Sequence, residues 1–160
     1  MELLQDFIIN LMEMNPLLQH LGIALIGVIP FLEGFFGSFV GSFIGVSAVT
    51  SAIASFAGNW ISVMLVIIPF NALFTWLRNR NSGKSGGFIQ GRAKKAQETY
   101  DKYGVPGLAI IAPAVASGHI AAFISLAAGA DKKRVIFWHT ISILLWVIVG
   151  ALFGGFVGFN

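Results

Sequence analysis

Residues 29–45 read IPFLEGFFGSFVGSFIG. Glu33, within this stretch, is the only Asp, Glu, Lys or Arg between Met14 and Leu77. Pro30, Phe31, Phe35 and Phe36 surround it, and Gly37, Gly41 and Gly45 follow at a spacing of four. A carboxylate at the bilayer centre costs about 2.5–3.5 kcal/mol on insertion scales, so it must face a protein interior or a watery cavity. Proline beside repeated glycine marks a backbone that breaks or packs very closely. Pro30 and Gly34 are therefore read as a break in a helical hairpin. Glu33 is read as a proton- or substrate-binding acid held at that break.

The rest of the chain gives this acid its setting. Of 160 residues, 56% are hydrophobic and only 11% charged, and the mean hydropathy is +0.82. Soluble domains carry about 25% charged residues, so the composition predicts an all-α polytopic membrane protein. The net charge of +3 arises largely from Arg78–Lys102 and Lys132–Arg134. Such clusters mark cytoplasmic loops, so they are read as topology signals and anionic-lipid contacts and not as a nucleic-acid surface. The absence of cysteine excludes disulfides, thiol chemistry and Cys-ligated metals. The N-terminus lacks the basic region and cleavage site of a signal peptide, so the first membrane segment is expected to act as its own targeting signal.

Residues 1–15 have Leu3, Leu4, Phe7, Ile8 and Leu11 at helical spacing, which predicts an amphipathic interfacial helix. Residues 16–45 are too long for one upright span of about 20 residues and too short for two, and Pro30 divides them. The expectation is a re-entrant hairpin. Residues 46–77 predict one long, kinked or tilted span, interrupted by Asn59-Trp60 and Pro69 and ending at Trp76. The Gly/Ser-rich stretch 78–91 is a linker and 92–103 a basic helix at the cytoplasmic surface. Residues 104–130 contain no Asp, Glu, Lys or Arg, and Pro113 and Ser117-Gly118 break them. If this stretch crossed fully, the two basic clusters would face opposite sides; a second re-entrant hairpin returns both to the cytoplasm. Residues 135–159 form the last span. One membrane domain, 1–160, thus holds two halves, 16–77 and 104–160, joined by 78–103. One true span per half makes the halves inverted repeats, a recurring transporter plan. Aligning Pro30 with Pro113 pairs GIALIGVIPFLEG with VPGLAIIAPAVAS.

His119 is the counterpart of Glu33, placed to titrate near neutral pH or to pair with it across the hairpins; a plain structural bond to a backbone carbonyl is the other reading. Asn59 and Ser117 join them as candidate cavity residues. Gly37, Gly41, Gly45 and Gly118 are read chiefly as packing residues, with Gly118 also marking the second break. His20 and His139 lie near expected membrane ends, without a functional role. Ser117 and His119 are two apart, and residues so spaced on a helix point away from each other, which argues against catalysis. No nucleophile motif, phosphate loop, metal-ligand spacing or cofactor motif is present. Two functions of different class follow. One is a transporter or flippase for an amphipathic substrate, a lipid or lipophilic compound, coupled to protons through Glu33. The other is a non-transporting accessory subunit that binds a partner membrane protein or enzyme. Membrane lipids and a second copy of the chain are further expected partners.

The segments IPFLEGFFGSFVGSFIG, FAGNW, YDKYGVPGLAIIAPAVASG and SLAAGADKKRVIFW resemble the small multidrug export family, itself similar to the DedA (SNARE-associated, VTT) membrane proteins. The resemblance covers nearly the whole chain after Asn15, and its most specific pieces are Pro30-x-x-Glu33 and the Lys-Tyr-Gly leading to Pro113 and Gly118. It implies two opposed re-entrant hairpins, proton-dependent movement of a lipid or lipophilic compound, no enzymatic activity, and a multi-pass place in a prokaryotic plasma membrane. DedA relatives carry arginines around the second-hairpin proline, whereas IIAPAVASGHIAAF has none.

Overall fold

The computed structural model describes residues 2–70, 72 and 87–158. Trp76 and the linker residues 78–86 lie outside them. The described residues form helices throughout: α1 (Glu2–Glu13), α2 (Pro16–Val28), α3 (Glu33–Phe43), α4 (Ala48–Ile67), α5 (Gly87–Val115), α6 (Gly118–Ala127) and α7 (Lys132–Val157). Two of them, α4 at 20 residues and α7 at 26, are long and apolar enough to cross a membrane. At 1.5 Å per residue they run about 30 and about 39 Å, against a hydrocarbon core of about 30 Å. Within the expected span 46–77, α4 stops two residues before Pro69, whose ring disfavours helix in the residue ahead of it, and residues 71 and 73–77 lie outside the described residues.

The helices fall into two compact units: residues 1–60 with 143–160, and residues 61–142. In the first unit, α2 and α3 have 13 and 11 residues, too short to cross alone, and the turn 29–32 folds one back on the other. Asn15 starts α2 by accepting the Leu18 N–H on its side chain at 3.0 Å, with Pro16 at the first helical position. Asn15→Ala is expected to destabilise the unit by about 1 kcal/mol, read as a lower thermal midpoint in detergent.

Glycines let the helices of this unit touch backbone to backbone. A Cβ on Gly37 would lie 2.8 Å from the Ile23 carbonyl oxygen, which holds α2 antiparallel to α3. A Cβ on Gly58 of α4 would lie 2.0 Å from the Ala24 carbonyl of α2. Gly150 and Gly154 of α7, and Gly158 just beyond its end, lie over the carbonyls of Phe35, Phe39 and Phe43, where added Cβ atoms would come within 2.3, 2.2 and 2.9 Å. This small-residue ladder suits helix association in lipid, where close van der Waals contact replaces the hydrophobic drive. Aromatic rings fill the rim, with Phe35 edge-on to Trp146 at 5.9 Å and Phe39 beside Phe153 at 5.7 Å.

In the second unit, α5 is broken at Gly104, whose φ of 64° and ψ of −163° fit glycine alone. The basic segment therefore ends at Tyr103, and Pro106 opens an apolar helix that packs on α6. Leu108, Ala112, Ala116, Ala121 and Ile124 form its core. The Ser142 hydroxyl donates to the Ala109 carbonyl at 2.6 Å, and the Lys132 ammonium donates to the Ile68 carbonyl at 3.1 Å.

The two hairpins end alike. Val46 N–H donates to Gly41 O and Gly45 N–H to Ser42 O; Ala130 N–H donates to Ser125 O and Gly129 N–H to Leu126 O. Gly45 and Gly129 both have left-handed φ, 90° and 87°. Each motif closes a short helix and leads within three residues into a long one. The order of hairpin, glycine cap and long helix thus occurs twice. Superposing the caps pairs Gly34 with Gly118 and Glu33 with Ser117.

On α4, Val49, Ile53, Ile61 and Leu65 are exposed, as are Ile148, Leu152 and Phe156 on α7. Apolar surface on this scale, on helices of spanning length, belongs in lipid. The chain is a membrane protein.

Candidate functional site

The turn 29–32 is held by Ile29 N–H on Ile26 O at 3.1 Å and by Glu33 N–H on Ile29 O at 3.0 Å. Phe31 within it, at 76°, and Glu33 just after it, at 53°, have left-handed φ without being glycine. Such positions cost about 1–3 kcal/mol each and gather at functional sites. Glu33 is only 5% exposed, and it opens α3. Its unit contains no Lys or Arg.

Gly34 sits beside it as the second residue of α3. A Cβ there would lie 3.1 Å from the Asn59 amide nitrogen and 2.6 Å from Val147, so the glycine lets Asn59 approach the hairpin. The Gly34 carbonyl accepts two buried hydroxyls, Ser38 at 2.8 Å and Ser55 at 2.9 Å. Gly34, Asn59, Ser38 and Ser55 therefore form one buried polar cluster, and Glu33 is the residue that precedes Gly34 in the chain.

Pro113 lies inside α5, two residues before its end, and the chain breaks at Ala116-Ser117. Ser117 is extended (φ −171°) and caps α6, accepting the His119 N–H at 3.2 Å. Because Ser117 precedes the helix, the rule that helical residues two apart diverge does not hold for it. Its hydroxyl lies 3.3 Å from His119 Nδ1. The other ring nitrogen, Nε2, is 2.8 Å from the Ser62 hydroxyl of α4. Both nitrogens of His119 thus face hydroxyls, which can donate or accept, so this side chain can keep two hydrogen bonds in either protonation state. Gly118 is buried beside it. Glu33 and Asn59 belong to the first unit, and Ser117 and His119 to the second.

Ser62 and Ser55 are functional candidates that the sequence reading did not single out. The signal was there: Ser51, Ser55, Asn59 and Ser62 recur at helical spacing along one face of an otherwise apolar helix, and all four are buried. His139 is 1% exposed and donates from Nδ1 to the Val135 carbonyl at 2.9 Å. His20 bonds in the same way to Pro16. Among the described residues no three His, Cys, Asp or Glu side chains gather as a metal site.

Residues 33–149 match the family described as putative small multi-drug export protein. The chain belongs to this family. No curated protein and no solved structure matches it. The small multi-drug export match begins at Glu33 itself and runs through α3, α4, α5 and α6 into α7. It takes in Asn59, Ser62, Ser117 and His119 and leaves out Pro30, α1 and α2. The family description points to a transporter and not to an enzyme.

Proposed function

We propose that the protein is a proton-coupled membrane transporter or flippase for an amphipathic substrate, a lipid or a lipophilic compound. The observation that carries this reading is Glu33: a carboxyl group buried at a left-handed turn between two helices too short to span, in a unit without lysine or arginine. An acid kept there against both desolvation and backbone strain is best explained by a task that needs its proton. In this reading α2–α3 and the apolar part of α5 with α6 are re-entrant hairpins. In the same reading the two halves, each with the order of hairpin, cap and long helix, are inverted repeats in the plasma membrane. His119, bonded to two hydroxyls, is the second titratable group of the pathway.

The test is reconstitution in liposomes under an imposed pH gradient, with a fluorescent lipophilic cation and a labelled phospholipid as separate substrates. Gradient-dependent movement of either one is expected above empty vesicles. Movement that ignores the gradient would remove the coupling, and movement of neither would leave the second reading. That reading is an accessory subunit or a dimer, and one feature favours it: a wholly apolar groove of about 270 Å³ between Ala48, Ala52 and Ile53 of α4 and Ile148, Ala151 and Leu152 of α7.

A further inference from the structure

We infer that the first turns of α7 hold an anionic phospholipid, with Lys133 and Arg134 on its phosphate and the rings of Phe137 and Trp138 beside its glycerol and upper chains. The inference rests on the chain being a membrane protein and not on any role of Glu33. Length sets the depth. With 26 residues α7 runs about 39 Å against a hydrocarbon core of about 30 Å, an excess of about 9 Å or about six residues. No Asp, Glu, Lys or Arg follows Arg134, so the far end of α7 is apolar and the excess falls at the near end, over its first six residues. The bases then lie among the headgroups, and Phe137 and Trp138 at the edge of the hydrocarbon, where aromatic belts gather.

The decisive observation is that the three bases are not equivalent. Lys132 is committed to the end of α4, where its ammonium donates to the Ile68 carbonyl at 3.1 Å. Asp131 is committed as the cap of α7, accepting the Arg134 N–H at 3.0 Å. Lys133 and Arg134 are exposed, and neither side chain has an ion pair or hydrogen bond among the described residues. Three cations in the first turn of a helix, with no acid among them, oppose its dipole. A phosphate in the same place reverses the sign, since the helix end and both free bases favour it. Side chains four apart share a face, so Phe137 lies one turn below Lys133 and Trp138 one turn below Arg134. Phe137 is 58% exposed, and its ring meets that of Trp138 edge-on at 5.5 Å. The result is two adjacent columns, each a base above an aromatic ring. That order matches phosphate, glycerol and chain in a lipid standing beside the helix, whereas a free phosphate would use the bases alone.

The test titrates the full-length protein in neutral detergent with phosphatidylglycerol brominated on its chains. Quenching of Trp138 is read as the difference from Trp138→Phe. Lys133→Gln with Arg134→Gln is expected to raise the half-point about thirtyfold, about fivefold for each base at an anionic surface. The thermal midpoint of this variant should stay level or rise, because neither side chain has a protein partner to lose. Lys132→Gln removes the same charge as Lys133→Gln, yet it should move the half-point by about twofold at most. Equal effects of these two single changes would reduce the site to general surface charge and overturn it. A half-point for brominated phosphatidylcholine as low as that for phosphatidylglycerol overturns it too, since the anionic headgroup would then not be read. So does a lower midpoint in the double variant, which would assign the bases to the fold. Full displacement of the lipid by inorganic phosphate would mark a free-anion site, and the lipid assignment falls with it.

Discussion

Gly58→Val should prevent the first unit from assembling. A Cβ at Gly58 would stand 2.0 Å from the Ala24 carbonyl oxygen, 2.8 Å from its carbon and 3.1 Å from its Cα. All three are backbone atoms in the middle of α2, so no rotamer change relieves the clash. Helix α2 must move outward as a body. It cannot do so without losing its other contact with α4, where Gly27 meets the Ser55 backbone, and the seat of α3 on Ile23. Overpacking of a core ordinarily costs about 1–3 kcal/mol, and a backbone clash on two helices belongs at or beyond the top of that range. The expected result is aggregation or a much lower thermal midpoint in detergent-solubilised protein. Gly155→Val is the control: nothing lies within 4 Å of a Cβ there, and the midpoint should hold. Equal midpoints for the two variants would sink this account of the packing.

The same glycines show how far the sequence could be read. Gly37 and Gly41 of α3 stood out because a charge marked the stretch, whereas Gly45, read with them as a packing residue, meets nothing within 4 Å and serves the left-handed cap. Gly150, Gly154 and Gly158 have the same spacing in and just after the last helix and went unread, because nothing local says which neighbour a glycine ridge meets. Membrane character, and the pairing of α2 with α3 and of α5 with α6, were legible from charge and length alone. The break near Pro113 was legible to within a few residues, since proline is tolerated inside α5 and the chain turns only at Ala116-Ser117. Superposing the glycine caps pairs the two segments one residue away from the alignment of Pro30 with Pro113. The first hairpin turns over the four residues 29–32 and the second over two, so the prolines do not correspond, while the glycine caps do. Nothing in IPFLEG announced left-handed backbone at Phe31 and Glu33 when Gly34 stood beside them. Ser62 was hidden for a different reason: its partner His119 lies 57 residues away in sequence, a contact that helical periodicity cannot supply.

The strain at Glu33 separates a functional acid from a structural one. Glu33→Gln keeps the shape and the hydrogen-bonding capacity of the side chain but cannot exchange a proton. Accumulation driven by a pH gradient is expected to fall to the level of empty vesicles, while the thermal midpoint stays near that of the wild type. Glu33→Gly should behave differently in one respect. At φ 53° any residue with a Cβ is strained, and glycine relieves about 1 kcal/mol of that strain while also removing a buried carboxyl group. The glycine variant should therefore be more stable than the wild type and just as inactive, the trade expected where a site is kept at the expense of the fold. Phe31→Gly supplies the comparison, because φ there is 76° in the same turn, without an acid. Glycine at Phe31 also removes a ring, but that ring is 38% exposed, so strain relief is the term it shares with Glu33→Gly. Transport should survive it. If Glu33→Gln transports normally, or if Glu33→Gly lowers the midpoint, the carboxyl group is part of the scaffold that shapes the turn, and the proton-coupled reading fails with it.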